Sequence, residues 1–168
     1  MKAVSDMTRL VFIGGAPGVG KSTVAQELLA RLEGSVWLNG DDLWRMRPFV
    51  VNERTKGMVE ENILFVLRSF LRAGFPYVLF TWVLHDQSII DRLLSGLRGE
   101  SFQFSMFTLL CDEPTLVSRL FQHSNRTTDV RHALERLRQT RSLGGAKIDT
   151  VDKGPRAVAE EILANLLA

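Results

Sequence analysis

At 168 residues the chain suits one domain around a single core, and a composition of 45% hydrophobic and 24% charged residues argues against long disordered tails. A net charge of +2 is too small to argue for nucleic-acid binding. Met1 to Arg9 lacks the apolar core of a leader, and the most hydrophobic stretch, Ile63 to Leu84, is broken by Arg68, Arg72, Gly74 and Pro76, so no membrane span is expected.

The first predicted strand is the apolar run Leu10 to Ile13. It feeds Gly15-Ala16-Pro17-Gly18-Val19-Gly20-Lys21-Ser22, which matches G-x-x-x-x-G-K-[ST]. Glycines at those positions let consecutive backbone N–H groups turn inward on the α- and β-phosphates of a nucleotide. Lys21 reaches the β- and γ-phosphates, and the Ser22 hydroxyl is a ligand for Mg²⁺. A helix predicted from Lys21 to Leu32 aims its positive end at the same anion, with Val24, Leu28, Leu29 and Leu32 at helical spacing and Gly34 as its stop. The expected ligands are therefore a nucleoside triphosphate, read as ATP, and magnesium, held by the loop residues together with Thr23.

Val36 to Leu38 is the second strand, and two adjacent carboxylates follow it in Asn39-Gly40-Asp41-Asp42-Leu43-Trp44. A carboxylate at a strand end beside the phosphates can accept the proton of an attacking hydroxyl. Neighbours in sequence point different ways, so one of the two is expected to face the site. Asp41 is the choice and Asp42 the reserve, with a helix N-cap as the competing role for either. A helix over roughly Thr55 to Ala73 precedes a third strand, Tyr77 to Leu84, which carries no early acidic residue. The metal is thus expected to rest on Ser22, phosphates and water, with any carboxylate help from Asp41 or Asp42. Trp44, Phe49 and Trp82 are candidates to stack on a flat acceptor or simply to pack, and Arg45, Arg47 and Arg54 hint at an anionic acceptor. His85 lies in a polar loop, where a histidine is more often exposed and idle than catalytic, although its titration range suits a substrate contact.

Further predicted elements are a helix from Gln87 to Leu97, a strand from Phe104 to Cys111, helices at Pro114 to Gln122 and Asp129 to Arg141, a short strand at Ala146 to Asp149, and a helix from Pro155 to Leu167. Strands alternating with helices imply parallel pairing and a three-layer α/β sheet. Pro114 and Pro155 each suit a first helical position, where a missing N–H costs nothing. The single cysteine, Cys111, cannot close an internal disulfide, reads as a small core residue, and points to a reduced, cytoplasmic setting.

The phosphate loop together with Asn39-Gly40-Asp41-Asp42 resembles the small P-loop kinases of the nucleoside and nucleotide kinase-like superfamily. That group includes shikimate kinase, gluconate kinase, adenylylsulfate kinase and chloramphenicol phosphotransferase. Several members carry an aspartate just after the second strand, often in a D-G-D setting, that contacts the acceptor hydroxyl; Asp41 matches the second aspartate, and Asn39 departs from the first. Asp112 to Leu120 is similar to the helix entering the family's lid, whose arginine, here Arg119, often packs on the adenine face. Ile148-Asp149-Thr150 and Gly154-Pro155 resemble the loop on the other side of the adenine. The resemblance implies a three-layer α/β P-loop NTPase sandwich over residues 1–168, with a five-stranded parallel sheet and a short helical lid at about 119–141. That lid would contribute Arg126 or Arg131 to the developing phosphoryl charge, while Arg136, Arg138 and Arg141 suit a solvated helix face.

The expected activity is transfer of the γ-phosphoryl of Mg-ATP to a hydroxyl or phosphate of a small molecule, with Asp41 as base. An alternative is a P-loop ATPase or switch protein in which Asp112 and Glu113, at the end of an apolar strand, serve the metal and activate water. A third possibility, a nucleic-acid 5′-end kinase or binding module, rests only on the arginine-rich stretch and mild basicity.

Overall fold

A computed structural model describes residues 7–122 and 129–167. Five strands, β1 (Arg9–Gly14), β2 (Ser35–Asn39), β3 (Tyr77–Thr81), β4 (Gln103–Leu110) and β5 (Ala146–Asp149), form one parallel sheet in the order β2-β3-β1-β4-β5. They alternate with α1 (Lys21–Leu29), α2 (Glu53–Ala73), α3 (Gln87–Gly96), α4 (Glu113–Gln122), α5 (Val130–Thr140) and α6 (Pro155–Leu167). The α/β three-layer arrangement expected from the alternation is present.

Both faces of the sheet are covered, which is why the central strands are nearly continuous apolar runs. In β1, Val11 and Ile13 point into a core shared with Leu28 of α1, Leu116 of α4, Leu137 of α5 and Ile162 of α6. Leu10 and Phe12 point the other way, against Ile63 and Leu67 of α2 and Leu93 of α3. Strand β1 sits mid-sheet with β3 on one side and β4 on the other, so the loop after it opens at the topological switch point where such folds bind ligands.

Several element ends differ from those expected, each for a local reason. Strand β3 stops at Thr81 rather than Leu84, because its partner β1 turns away into the glycine loop. Trp82, Val83 and Leu84 keep a strand-like composition because Leu84 plugs the core under α2 and α3. Helix α1 ends at Leu29 and tightens into a turn that closes at Gly34, whose φ is 71°. Helix α2 begins at Glu53, before Thr55, because Asn52 and Thr55 form a reciprocal cap: the Asn52 side chain accepts from Thr55 N at 3.0 Å, and Asn52 N donates to Thr55 Oγ1 at 2.9 Å. Helix α4 starts at Glu113, with Pro114 second, since the Asp112 carboxylate accepts from Thr115 N at 2.8 Å. Pro155 does open α6.

Candidate active site

The loop between β1 and α1 is shaped by positive-φ glycines. At Gly15, φ is 148° and a Cβ would lie 2.9 Å from the Leu109 carbonyl oxygen of β4, so the backbone must be bare there. Gly20 precedes α1 in the left-handed region and offers no side-chain cap, leaving the first-turn N–H groups of α1 for an anion. Lys21 is buried and donates to the carbonyls of Gly15 at 2.9 Å and Ala16 at 3.0 Å, curling over the loop it belongs to. Pro17, Gly18, Val19 and Gly20, with Lys21, Ser22 and Thr23, form one wall of an open cavity of about 1130 Å³. That volume accommodates a nucleotide and a second small molecule together.

One end of the cavity is closed by a clamp. Arg119 of α4 donates to Val19 O at 3.2 Å, to Thr150 Oγ1 at 2.8 Å and to Thr150 O at 2.7 Å. Thr150, just after β5, is itself tied to Leu110 O through its N–H at 2.8 Å and its hydroxyl at 3.0 Å. The glycine loop, the end of β4 and the loop after β5 are thereby held as one unit, and Lys153 and Pro155 extend the wall. Arg119 was expected at this end; Thr150 as the hub of the clamp was not legible, since its partners lie 31 and 40 residues away.

The other end is built on the 3-10 turn Gly40–Trp44. Trp37 Nε1 donates to Thr81 Oγ1 at 2.9 Å, Thr81 Oγ1 lies 3.4 Å from Asn39 Oδ1, and the same Asn39 oxygen accepts from Asp41 N at 3.3 Å. Asn39, the departure from the D-G-D setting, therefore caps the turn that carries both acids. The capping role weighed for Asp41 and Asp42 belongs to it. Gly40 is bare because Trp82 lies across it, with a Cβ there 2.8 Å from Trp82 Cγ. Asp41 and Asp42 both line the cavity, and they differ in their company. Asp42 Oδ1 takes Arg45 Nη2 at 2.6 Å and Nε at 3.0 Å, whereas the Asp41 carboxylate has no partner among the described residues. Phe49 also lines this end, with the Trp44 ring 6.0 Å from it.

The remaining candidates are distributed unevenly. Arg131 is exposed at the start of α5 and lies outside the cavity wall, while the neighbouring Asp129 and His132, which the sequence did not single out, line it. Arg126 falls outside the described residues. Ala133 and Leu137 anchor α5 in the core, so much of the stretch 119–141 belongs to the body of the fold. Glu113 pairs with Arg138 at 2.9 Å, which holds its carboxyl below the usual range, and Asp112 is similarly lowered by the hydrogen bonds it accepts from Thr115. His85 is half-buried with Nδ1 3.1 Å from Val83 O, and burial lowers its pKa; burial raises that of the Cys111 thiol. Arg47 and Arg54, read as hints of an anionic acceptor, are exposed and lie outside the cavity wall.

The donor set fits a triphosphate with magnesium. Ser22 and Asp41 both line the cavity beside the glycine loop, and among the described residues no three His, Cys, Asp or Glu side chains gather for a metal. Among the same residues no helix is long and apolar enough to cross a membrane.

Comparison with solved structures places the whole fold. The structure of Deinococcus radiodurans tunicamycin resistance protein is similar at 25% identity and a TM-score of 0.74, over 95% of each chain. A gluconokinase from Sinorhizobium meliloti 1021 is similar at 16% identity and a TM-score of 0.71, over 97% of this chain and 93% of the other. Shikimate kinase from Acinetobacter baumannii, in complex with shikimate, shares 22% identity at a TM-score of 0.66, over 99% and 96%. No curated protein sequence gives a significant match. The family model described as AAA domain matches residues 10–143, which span the glycine loop, the Asn39-capped turn and the Arg119 helix, and the chain belongs to that family, with a small P-loop kinase-like fold.

Proposed function

We propose that the protein transfers the γ-phosphoryl group of Mg-ATP to a hydroxyl or phosphate of a small molecule, with Asp41 orienting and deprotonating the acceptor. The observation that carries this reading is the Asp41 carboxylate, which has no partner among the described residues and shares one cavity with the glycine loop, while the adjacent Asp42 is occupied by Arg45. The neighbours named gluconokinase, shikimate kinase and tunicamycin resistance protein support a small-molecule acceptor. The buried, free Cys111 supports a reducing, cytoplasmic setting.

In this reading the loop amides and Lys21 grip the triphosphate, and Arg119 with the Thr150 and Pro155 loop borders the base. Ser22 holds the metal with Asp41 beside it; magnesium, when bound, neutralises charge on the β- and γ-oxygens. The acceptor oxygen attacks the γ-phosphorus in line, its proton passes to Asp41, and the bond to the β,γ-bridging oxygen breaks with its electron pair leaving on ADP. Lys21 and an arginine of the stretch 119–141, Arg126 or Arg131, meet the charge on the transferring group.

The test is ADP release from Mg-ATP with and without pooled nucleosides, nucleoside monophosphates, sugar acids and antibiotic alcohols. One pool should raise turnover well above basal, and Asp41→Asn should remove roughly 10²–10⁴-fold of that stimulation while leaving nucleotide binding intact. Brisk hydrolysis that no pool stimulates and that Asp41→Asn leaves unchanged would overturn the reading.

A further inference from the structure

We propose that the outward face of α2 is a self-complementary contact through which two copies of this chain pair antiparallel about a two-fold axis. The Phe65 ring of each copy lies against Ser69 of the other, and Glu61 of each meets Arg72 of the other. This face stands apart from the nucleotide cavity, since none of the described residues of that wall belongs to α2, and the pairing is independent of what the cavity binds.

Helix α2 buries Val59, Ile63, Leu67 and Leu71 along one face. Phe65 lies about 200° round the helix from Ile63, so it cannot reach the core, and at 74% exposure it is the most exposed large apolar side chain among the described residues. Met58, one heptad earlier, is exposed at nearly the same angle, because a straight helix drifts only about 20° per heptad. Beside the Phe65 ring runs a groove of about 370 Å³ lined by Phe65, Arg68, Ser69 and Arg72. Its arginines are held in place: Arg68 Nη2 donates to Gly96 O, and Arg72 reaches Glu100 Oε1 through Nε at 2.9 Å and Nη2 at 2.7 Å. A protruding ring and a groove over a small residue thus sit one turn apart on the same face. That is the condition for a contact in which each copy fills the other.

Charge fixes the occupant as a second copy. An axis level with Leu67, midway between Phe65 and Ser69, sets each ring over the other copy's Ser69, with the two rings about 6 Å apart along the helix, within the spacing of aromatic pairs. On that axis Glu61 lies about 9 Å to one side and Arg72 about 7.5 Å to the other, at about 1.5 Å per residue, and both fall on the same edge of the stripe through Phe65. Each therefore faces the other across the axis. Glu61 is exposed and has no partner among the described residues, and the pair with Glu100 leaves Arg72 Nη1 available to donate. The antiparallel contact makes two Glu61–Arg72 pairs around two stacked rings. A parallel arrangement would instead set Glu61 against Glu61 and Arg72 against Arg72.

Sedimentation equilibrium of the full chain measures the pairing. Wild type is expected to dimerise with a Kd of about 1–100 µM, because a contact of one helix pair lies at the small end of specific interfaces. Phe65→Glu should raise that Kd at least about tenfold, since it puts two carboxylates at the apolar centre. Glu61→Arg and Arg72→Glu should each weaken self-pairing by about threefold to tenfold. An equimolar mixture of these two variants should pair more tightly than either alone, because each supplies the charge that the other has lost. Circular dichroism melting at concentrations where wild type is monomeric checks that every variant folds. A wild type that stays monomeric at about 100 µM would overturn the proposal. So would a Phe65→Glu dimer as tight as wild type, which places the contact on another face, or a mixture no tighter than its components, which rules out the antiparallel register.

Discussion

At the nucleotide end of the cavity, Arg119 grips Val19 and the buried Thr150, and Thr150 grips Leu110, so that three loops form one rigid unit. At the acceptor end, Asp41, Asp42, Arg45 and Phe49 stand exposed on a short 3-10 turn and the loop beyond it. The contrast shows how one fold can keep a constant partner and vary the other. Groups proposed to bind the triphosphate are locked to the sheet, while groups that would choose the acceptor hang from a single capped turn, where substitutions leave the core untouched.

The rigid end can be broken most directly. Arg119→Ala removes charge-assisted hydrogen bonds to Val19 O, Thr150 O and Thr150 Oγ1, at about 1.5–3 kcal/mol each before relaxation. Both nucleotide affinity and the melting temperature should fall together, as read by titration and calorimetry. Changes at the acceptor end should instead separate activity from binding. Thr81→Val strands the Trp37 N–H and releases the Asn39 cap, which costs about 1–3 kcal/mol, and its kcat should drop while ADP affinity stays within about twofold. If ADP affinity falls in parallel, the two ends are mechanically coupled and the contrast fails. Glu113→Gln should change hydrolysis less than about twofold, because Glu113 is engaged by Arg138 on the helix face; a large loss would revive the water-activating role of an ATPase.

The smallest effect expected is on pH. Burial lowers the pKa of His85 below 6.5, so its neutral form is favoured in the folded state. Its contribution is intact above pH 6.5 and is lost as pH falls from there through the lowered folded value. Melting temperature should therefore decline less steeply below pH 6.5 in His85→Gln than in the wild type.

The legible parts of the site were those in which chemistry and chain order coincide. Phosphate binding needs backbone amides at fixed spacing, so Gly15 to Ser22 could be read directly, and the strand end that carries Asp41 followed from alternation. Asn39, Thr81 and Trp37 could not be assembled from spacing, because their relay crosses from β2 to β3 and depends on Asn39 pairing with Thr81 in the sheet. Trp82 to Leu84 read as strand because burial, not pairing, selects their side chains. In α5 the arginine count drew attention to Arg131, whereas helical phase brings His132 to the cavity.

The sheet order also has a consequence for the order of folding. Strand β1 is made early, yet one of its two neighbours begins at Gln103, which pairs with Arg9. Ribosomes add about 5–20 residues per second, so the glycine loop emerges many seconds before β4 can flank it. Until then, apolar β1 has an open edge, and no nucleotide site can form around it. Such non-local parallel pairing slows folding and exposes the nascent chain to aggregation. The phosphate loop is therefore flanked on both sides only late in the life of the new chain, after the turn that carries Asp41 already has its partner strand.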